Sequence, residues 1–369
     1  MIRVDIHTRE ISPDTRVYVA RPGPNYKFFE IFIDRNFVGP DLPGLDLPEF
    51  GELSEVHDLV ERVKRSVEIR RYALRGERDI EPPAAALEDY VNTPTSRSIS
   101  QFLRVARAYF SHMKAGDLVI VPPANFRGLA HIGELTGPPN QLKPVYPALY
   151  TEAPLLGRNV AWRGVVEKAK LPAQTLDALQ KPSPLFLLAR EAWPSIFRRS
   201  YGSYSMPGEY GARFEITSEK FQTTDDFRIQ AFFNFVSKNT ELVGVGSKDL
   251  LSLKDGAFAT TGAAPDLYTN VNSPGGLSLK SAVVTPIVIA VMLALAVTVG
   301  PDAFAAAEAG TLVFGNSQAP AGDQCTVEVS AQVVTQLKLL GFDRWTEACE
   351  VARAAAAKTG ITTTVGIGN

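Results

Sequence analysis

Cysteine and histidine are scarce in this chain of 369 residues, which has two cysteines and four histidines. The four histidines are His7, His57, His112 and His131, and the cysteines are Cys325 and Cys349. Their spacing matches no zinc-binding module, so a structural metal site is not expected. We predict neither a metal nor a cofactor.

Sequence motifs of common enzymes are also missing. The chain has no G-x-S-x-G nucleophile elbow, no Walker A phosphate loop and no H-E-x-x-H metal motif. Its histidines are scattered, and its carboxylates do not gather in a pattern suited to acid–base chemistry. Catalysis is therefore the weaker functional class, and no catalytic residue is predicted.

An excess of charge of one sign is lacking, since 38 basic and 40 acidic residues leave a net charge of −2. A global electrostatic attraction to nucleic acid is thus not visible, and any such surface must be local. The first ten residues, MIRVDIHTRE, carry charge throughout and lack the apolar region of a secretory signal. We therefore expect the N-terminal half to lie in the cytoplasm.

The length suits two or three domains rather than one core. We predict an α+β fold with three segments: a sensor domain at 1–195, a mixed connecting domain at 196–275, and an apolar helix with a C-terminal cap or effector region at 276–369. In the second segment, Thr223 to Asp226 predict the start of an aromatic helix that belongs to the core.

The first segment combines strand and helix patterns. Short apolar runs and turn formers at 16–50, including FFEIFI, predict strands and turns. Valines at helical spacing predict an amphipathic helix at about 53–75, and a second helix follows with Ser98 as its N-cap. Residues 115–137, AGDLVIVPPANFRGLAHIGELTG, predict a hairpin of two apolar strands.

The order of these pieces resembles the EVE-like branch of the PUA superfamily over residues 14–190. The pieces are RPG (21–23), LPGLDL (42–47), Gln101–Phe102, Gly116–Asp117, Ile132–Gly133–Glu134 and Arg158–Val160–Trp162. The resemblance implies a small N-terminal β-barrel with flanking helices. It also implies a flipped or modified base held in an aromatic pocket, as in modification-dependent restriction and phage-defence proteins.

Six residues form the candidate site in this segment. A base outside its stack needs an apolar face and a few polar groups, while its phosphates need cations. We predict that Asn125, Phe126 and Trp162 bind the ligand. We predict that its phosphates are bound by Arg127, Arg158 and Arg163. The simpler interpretation is that Trp162 is a core aromatic residue, as His131 is expected to be.

The longest apolar run lies at 281–300, SAVVTPIVIAVMLALAVTVG, which has twenty residues and no charge. Its length and the basic flank before it favour a transmembrane helix with the N-terminal half inside. A helix buried in a soluble oligomer is the alternative. If the tail lies outside the membrane, a disulfide between Cys325 and Cys349 could persist. If the tail stays in the cytoplasm, both cysteines are only small apolar residues, and the region 326–358 packs as a helical or α/β cap.

Two functions follow as hypotheses. In the first, the EVE-like half senses nucleic acid or a nucleotide signal and acts through a membrane-associated C-terminal segment. In the second, the chain is a soluble specificity subunit that binds modified DNA and recruits a separate nuclease. We expect a homo-oligomer in both cases, and the identity of the ligand stays open.

Overall fold

The structure is a computed structural model of mixed α/β class, with 44% helix and 21% strand, rather than of the predicted α+β class. It describes residues 1–75, 81–150, 152–171, 173–180, 183–270, 275–319 and 322–368. Contacts divide the chain into two compact units. We call Asp14–Ser200 the middle unit and Met1–Pro13 with Tyr201–Asn369 the terminal unit.

Both units contain strands and helices. In chain order, the strands of the described residues are β1 (Ile2–Asp5), β2 (Thr8–Glu10), β3 (Val17–Ala20), β4 (Phe37–Val38), β5 (Leu118–Val121), β6 (Leu129–Leu135), β7 (Lys143–Val145), β8 (Leu155–Glu167), β9 (Leu185–Leu187), β10 (Ser203–Met206), β11 (Glu209–Ile216), β12 (Asp266–Asn270), β13 (Gly275–Ser281), β14 (Leu312–Gly315) and β15 (Gly366–Gly368). The α-helices are α1 (Phe29–Asp34), α2 (Leu59–Arg75), α3 (Arg97–Arg107), α4 (Ala173–Leu179), α5 (Trp193–Ser200), α6 (Thr223–Gly244), α7 (Leu253–Gly256), α8 (Thr285–Thr298), α9 (Asp302–Glu308) and α10 (Gln324–Thr359).

The middle unit is built on one mixed sheet with the strand order β4-β8-β6-β5-β3-β9, to which β7 adds by pairing with β8. Only β3 and β5 run parallel among these pairs, so the chain between them makes a long crossover that includes α1, α2 and α3. The predicted closed β-barrel is wrong: the sheet is a half-barrel. Among the described residues, the two edge strands of this sheet, β4 and β9, are short and do not pair with each other.

The helices of the middle unit follow the apolar periodicity, with two corrections. The run FFEIFI does not form a strand, because Phe28 and Phe32 lie one helical turn apart and both bury their rings, so α1 forms there. The predicted second helix is α3, which begins at Arg97. Its N-cap is Ser96 rather than Ser98, and the Oγ atom of Ser96 accepts a hydrogen bond from the backbone N–H of Ile99 at 3.3 Å.

The terminal unit holds two sheets. The five-stranded sheet has the order β12-β13-β11-β10-β2, and the three-stranded sheet has the order β14-β1-β15. Strand β1 therefore lies between two strands from the far end of the chain, parallel to β14 and antiparallel to β15. Helices α6, α8 and α10 contact one another, and α8 also contacts β11 and β13.

The predicted transmembrane helix is wrong, and the run 281–300 is divided between elements. Ser281 ends β13, and α8 covers only Thr285–Thr298 with Pro286 in its first turn. Fourteen residues span about 21 Å, which is less than the roughly 30 Å of a bilayer core. Eleven of them are buried, because α6, α10 and the sheet surround the helix. Its lack of a polar face is explained by burial on all sides.

The described helices include none that is by itself long and apolar enough to cross a membrane. Helices α8 and α9 pass such a test of length and composition only as a pair, and they are bent by 117° at the break between them.

Helix α10 closes the terminal unit over the C-terminal end of α8. The Arg353 Nε atom donates to the carbonyl oxygen of Ala296 at 3.0 Å, and the Trp345 Nε1 atom donates to that of Gly300 at 2.9 Å. The Ala296 carbonyl lies in the last turn of α8, where a helix leaves its acceptors unpaired, so a cation is suited to it. The Gly300 carbonyl also accepts a hydrogen bond from the backbone N–H of Ala303 at 3.1 Å. Gly300 has φ of +72°, and a Cβ atom there would meet the Arg353 guanidinium.

The two cysteines are free thiols buried in the terminal unit, so the disulfide considered above does not form. Both belong to the apolar core cluster that contains α8. They behave as small apolar residues, which is the second interpretation of their sequence context.

Candidate nucleic-acid interface

The turn between β5 and β6 carries three of the six predicted site residues. Asn125, Phe126 and Arg127 are all exposed there, and the Phe126 side chain is 59% accessible. The turn is compact, because the Asn125 side-chain oxygen occupies the space where a Cβ atom of residue 128 would sit. Glycine at position 128 leaves this space to the Asn125 side chain and the Pro123 ring.

Trp162 lies on β8 at the margin of the core of the middle unit. It is half-buried, and its Nε1 atom donates a hydrogen bond to the carbonyl oxygen of Ile33 at 3.2 Å. Its ring packs over Gly133, the residue opposite it on β6. The indole thus has a structural role, and part of it remains accessible to solvent.

An aromatic row crosses the sheet beside this tryptophan. The His131 ring lies edge-on between Phe29 and Trp162, with centroid distances of 5.7 and 5.6 Å. Burial lowers the pKa of His131, and the nearby Glu30 carboxylate opposes this shift. The His131 Nδ1 atom is buried and has no hydrogen-bond partner among the described residues. A neutral ring with its proton on Nε2 fits this environment, because an unbonded acceptor costs less than a buried charged donor.

The same face of the sheet continues into exposed apolar side chains. His131 pairs with Val165, and Leu129 precedes His131 by two residues, so their side chains share a face. Leu129 and Val165 are 54% and 52% accessible. We call Phe126, Leu129, His131, Trp162 and Val165 the hairpin face. It is an open apolar surface next to a polar turn, which is the composition of a contact surface.

A cation is fixed beside the hairpin face. The Lys168 Nζ atom donates to the carbonyl oxygen of Pro123 at 3.2 Å and lies 5.8 Å from the centroid of the Tyr26 ring. Burial lowers the pKa of Lys168, and the charge of Arg21 lowers it further. Arg21 in turn donates to the Tyr26 hydroxyl at 3.2 Å.

The loop that carries Tyr26 is strained. Asn25 and Tyr26 have φ values of +52° and +59°, which side chains with a Cβ atom rarely adopt. Such strain is found most often where a binding or catalytic group must be held in place. Here it positions the Tyr26 ring under the Lys168 ammonium group.

Arg158 is a structural residue of the middle unit. It is 1% exposed, and its guanidinium donates to the carbonyl oxygens of Tyr109, Met113 and Gly137. Burial lowers its pKa to about 10. The Tyr109 and Met113 carbonyls come at the end of the helical segment that follows α3, where a cation compensates unpaired acceptors. A phosphate in solvent has no access to this side chain.

Arg163 is accessible but paired. Its Nε atom lies 3.0 Å from the Glu134 carboxylate on β6. The β6–β8 register shifts between Ile132 and Gly133, so Arg163 is the extra residue of a β-bulge on β8. The structure thus separates the predicted cations: Arg127 is exposed, Arg163 is paired and Arg158 is enclosed.

Sequence reasoning missed the side chains that complete this surface. Leu129 and Val165 show no signal beyond strand alternation, and the pairing that joins them is set by the register of β8. Lys168 and Tyr26 are 142 positions apart and meet only in the fold. A cavity of about 230 Å³ in the middle unit lies beside α2, and none of the six predicted residues lines it.

No protein-family model, curated protein or solved structure matches this chain.

Proposed function

We propose that the middle unit binds a nucleic acid or a nucleotide on the hairpin face. The observation that carries the proposal is the exposed apolar surface of Leu129 and Val165 beside the His131–Trp162 ring pair, with the exposed Phe126 in the adjoining turn. Nucleobases have flat apolar faces, and proteins bind them by stacking on exposed aromatic side chains without strict sequence preference.

Polar groups next to this face suit the rest of a nucleotide. The exposed Asn125 amide offers both a donor and an acceptor to a base edge. Arg127 beside it and Lys168 at the foot of the turn offer positive charge to a phosphate. The Lys168 side chain is already held by the Pro123 carbonyl and the Tyr26 ring. A phosphate that contacts Lys168 would therefore cost little additional side-chain entropy.

The charge distribution agrees with this choice of unit. Residues 14–200 contain 25 basic and 22 acidic side chains, whereas the rest of the chain contains 13 basic and 18 acidic ones. The middle unit is therefore net positive, although the whole chain is net negative. Phosphate backbones are attracted to the unit that carries the candidate face.

The resemblance to EVE-like domains supports a role in defence against invading nucleic acid. In that role the ligand is a base of the invader, a modified base included, or a nucleotide signal made in response. The narrower form, a specificity subunit that binds modified DNA and recruits a nuclease, uses the same face. Coupling to a membrane is not part of the proposal, because α8 is enclosed in the terminal unit.

Fluorescence anisotropy tests the proposal with three labelled probes: a 12-nucleotide single-stranded DNA, the matching RNA, and a DNA duplex with 5-methylcytosine. Substitution of Phe126 by alanine should weaken binding of the preferred probe by about 1–3 kcal/mol, the range for loss of a base–aromatic stack. Arg127→Met should weaken nucleic-acid binding by a similar factor for all probe sequences. It should also reduce the slope of the logarithm of affinity against the logarithm of salt concentration by about one, as expected for the loss of one phosphate contact.

Tyr146→Ala is the matched control. Tyr146 is 65% exposed and follows β7, which pairs with the first residues of β8, whereas the hairpin face lies near the end of β8. Leu155, which pairs with Val145 of β7, lies seven residues before Trp162 and ten before Val165, so about 23 to 33 Å of strand separates the two positions. Equal losses in Phe126→Ala and Tyr146→Ala, or no binding of any probe by the unmodified protein, would refute the proposal.

A further inference from the structure

The terminal unit contains a second feature that the proposed function does not use. A cavity of about 660 Å³ lies between the end of β2, the turn from β10 to β11, and the start of α10. This volume is within the range of small-molecule binding pockets. It is lined by residues from three separated parts of the chain, so it exists only in the folded terminal unit.

The cavity has a buried floor and an exposed rim. Ile11, Ser205 and Cys325 form the floor, and all three are buried. Glu10 and Gln324 stand at the rim and are exposed. The backbone N–H of Ile11 donates to the carbonyl oxygen of Ser205 at 2.8 Å, which fixes the floor. The site is thus preformed and open to solvent.

The charges around the floor are mainly negative. Burial is the largest cause of the raised pKa of the Cys325 thiol. The carboxylates of Asp323, Glu328 and Glu10 raise this pKa further. Glu328 also accepts a hydrogen bond from the Tyr210 hydroxyl, which lines the cavity. Of the described lining residues, Arg9 alone is basic. Among the described lining residues the charges of Glu10 and Arg9 balance, so the net negative charge around the floor comes from Asp323 and Glu328, which act on the Cys325 thiol without lining the cavity.

The N-terminus of α10 does not reverse this potential. Its N-cap is Asp323, whose Oδ1 atom accepts from the Thr326 backbone N–H at 2.9 Å and whose Oδ2 atom accepts from the Thr326 hydroxyl at 2.6 Å. The carboxylate therefore compensates the partial positive charge of the first turn. An anion would meet this carboxylate as well as Glu10 and Glu328.

We propose that this cavity binds a small organic cation, an amine or guanidinium compound, between Glu10 and the Tyr210–Glu328 pair. The carboxylates supply charge-assisted hydrogen bonds to its N–H groups, and the tyrosine ring supplies an aromatic surface of the kind that cations contact. The Ile11 and Cys325 side chains on the floor contact its carbon chain. Binding is reversible, because a thiol with its pKa raised to about 12 stays protonated and is not a nucleophile.

Isothermal titration calorimetry of the full chain tests this inference with two probes of equal length and opposite charge, 1,4-diaminobutane and succinate. We expect the diamine to bind and succinate not to bind. Glu10→Gln and Glu328→Gln should each weaken diamine binding by about tenfold, which corresponds to the loss of one charge-assisted hydrogen bond. Glu10 is exposed, so its substitution should leave the fold intact, which a thermal unfolding curve checks.

The matched control is Glu308→Gln, which removes the same charge from an exposed position at the end of α9. It should leave diamine binding unchanged. The inference is overturned if the diamine does not bind, if succinate binds as well, if Glu10→Gln binds normally, or if Glu308→Gln weakens binding as much as Glu10→Gln. These results are independent of nucleic-acid binding by the middle unit, since no residue is shared with the hairpin face.

Discussion

Replacement of Ile289 by alanine tests the finding that α8 is a core helix. Ile289 lies in the middle of α8 and is fully buried in the apolar cluster of the terminal unit. The substitution removes three carbon atoms, worth about 2.4 kcal/mol at about 0.8 kcal/mol each. Because the surrounding side chains relax only in part, the remaining cavity moves the loss toward the upper half of the roughly 2–5 kcal/mol range for such changes.

The assay is urea unfolding followed by tryptophan fluorescence, in which Trp345 reports on the terminal unit because its indole is buried and bonded to Gly300. Val283→Ala serves as the control, since Val283 is 46% exposed just before α8. We expect the control to change the free energy of unfolding by less than about 0.5 kcal/mol, as for most surface substitutions.

The refuting result is a small effect of the buried substitution. If Ile289→Ala and Val283→Ala lower the free energy of unfolding equally, α8 is not packed on all sides. A helix on the outside of the unit would also tolerate a polar residue at position 289, so Ile289→Ser gives a second measurement. In the packed helix, serine should destabilise the unit more than alanine does, because it buries a hydroxyl group among apolar side chains.

Two further predictions concern buried polar groups. Arg158→Met should lower the free energy of unfolding by about 3 kcal/mol or more in urea titrations, because three enclosed carbonyls lose a donor at about 1–3 kcal/mol each; a loss below about 1 kcal/mol would contradict the structural role. Burial raises the pKa of Cys325 and Cys349 from 9.0 to about 12, so the folded state retains protons that the unfolded state loses. The free energy of unfolding should therefore fall as pH rises above about 9, and this slope should be smaller in Cys349→Ala; equal slopes at pH 8–10 would count against it.

The local elements were predictable where one rule dominated. The β5–β6 hairpin follows from two apolar runs around a turn, and α2 follows from valines at helical spacing, although it begins at Leu59 rather than near residue 53. The aromatic helix near Thr223 is α6, with a capping box between Gln222 and Asp225. Each of these signals lies within a few residues of the element that it specifies.

The apolar run at 281–300 shows where a local rule fails. A helix enclosed by protein and a helix enclosed by lipid both lack a polar face, so composition alone does not distinguish them. The decision came from the neighbours of α8, namely α6, α10, β11, β13 and β15; of these, β11 ends 69 residues before α8 begins. The short α8 and the turn before α9 then follow from packing within the unit.

The candidate site was predictable only in part. The exposure of Asn125, Phe126 and Arg127 follows from their place in a turn. Arginine has the same chemistry at positions 158 and 163, but the burial of one and the pairing of the other depend on the carbonyls and the carboxylate that the fold brings to them. One-dimensional spacing contains no information about such partners.

The sequence by itself determined the short-range features of this protein: the hairpin and its polar turn, the amphipathic helices, and the absence of a zinc-type cysteine and histidine pattern. The tertiary structure alone decided that residues 1–13 complete the unit formed by the C-terminal half, that α8 is a core helix, and that the middle sheet is a half-barrel. The physical reason is the range of the interactions. Turns, caps and helical faces depend on neighbours within about one helical turn, whereas strand partners and burial depend on segments hundreds of residues apart, as in the pairing of β1 with β14.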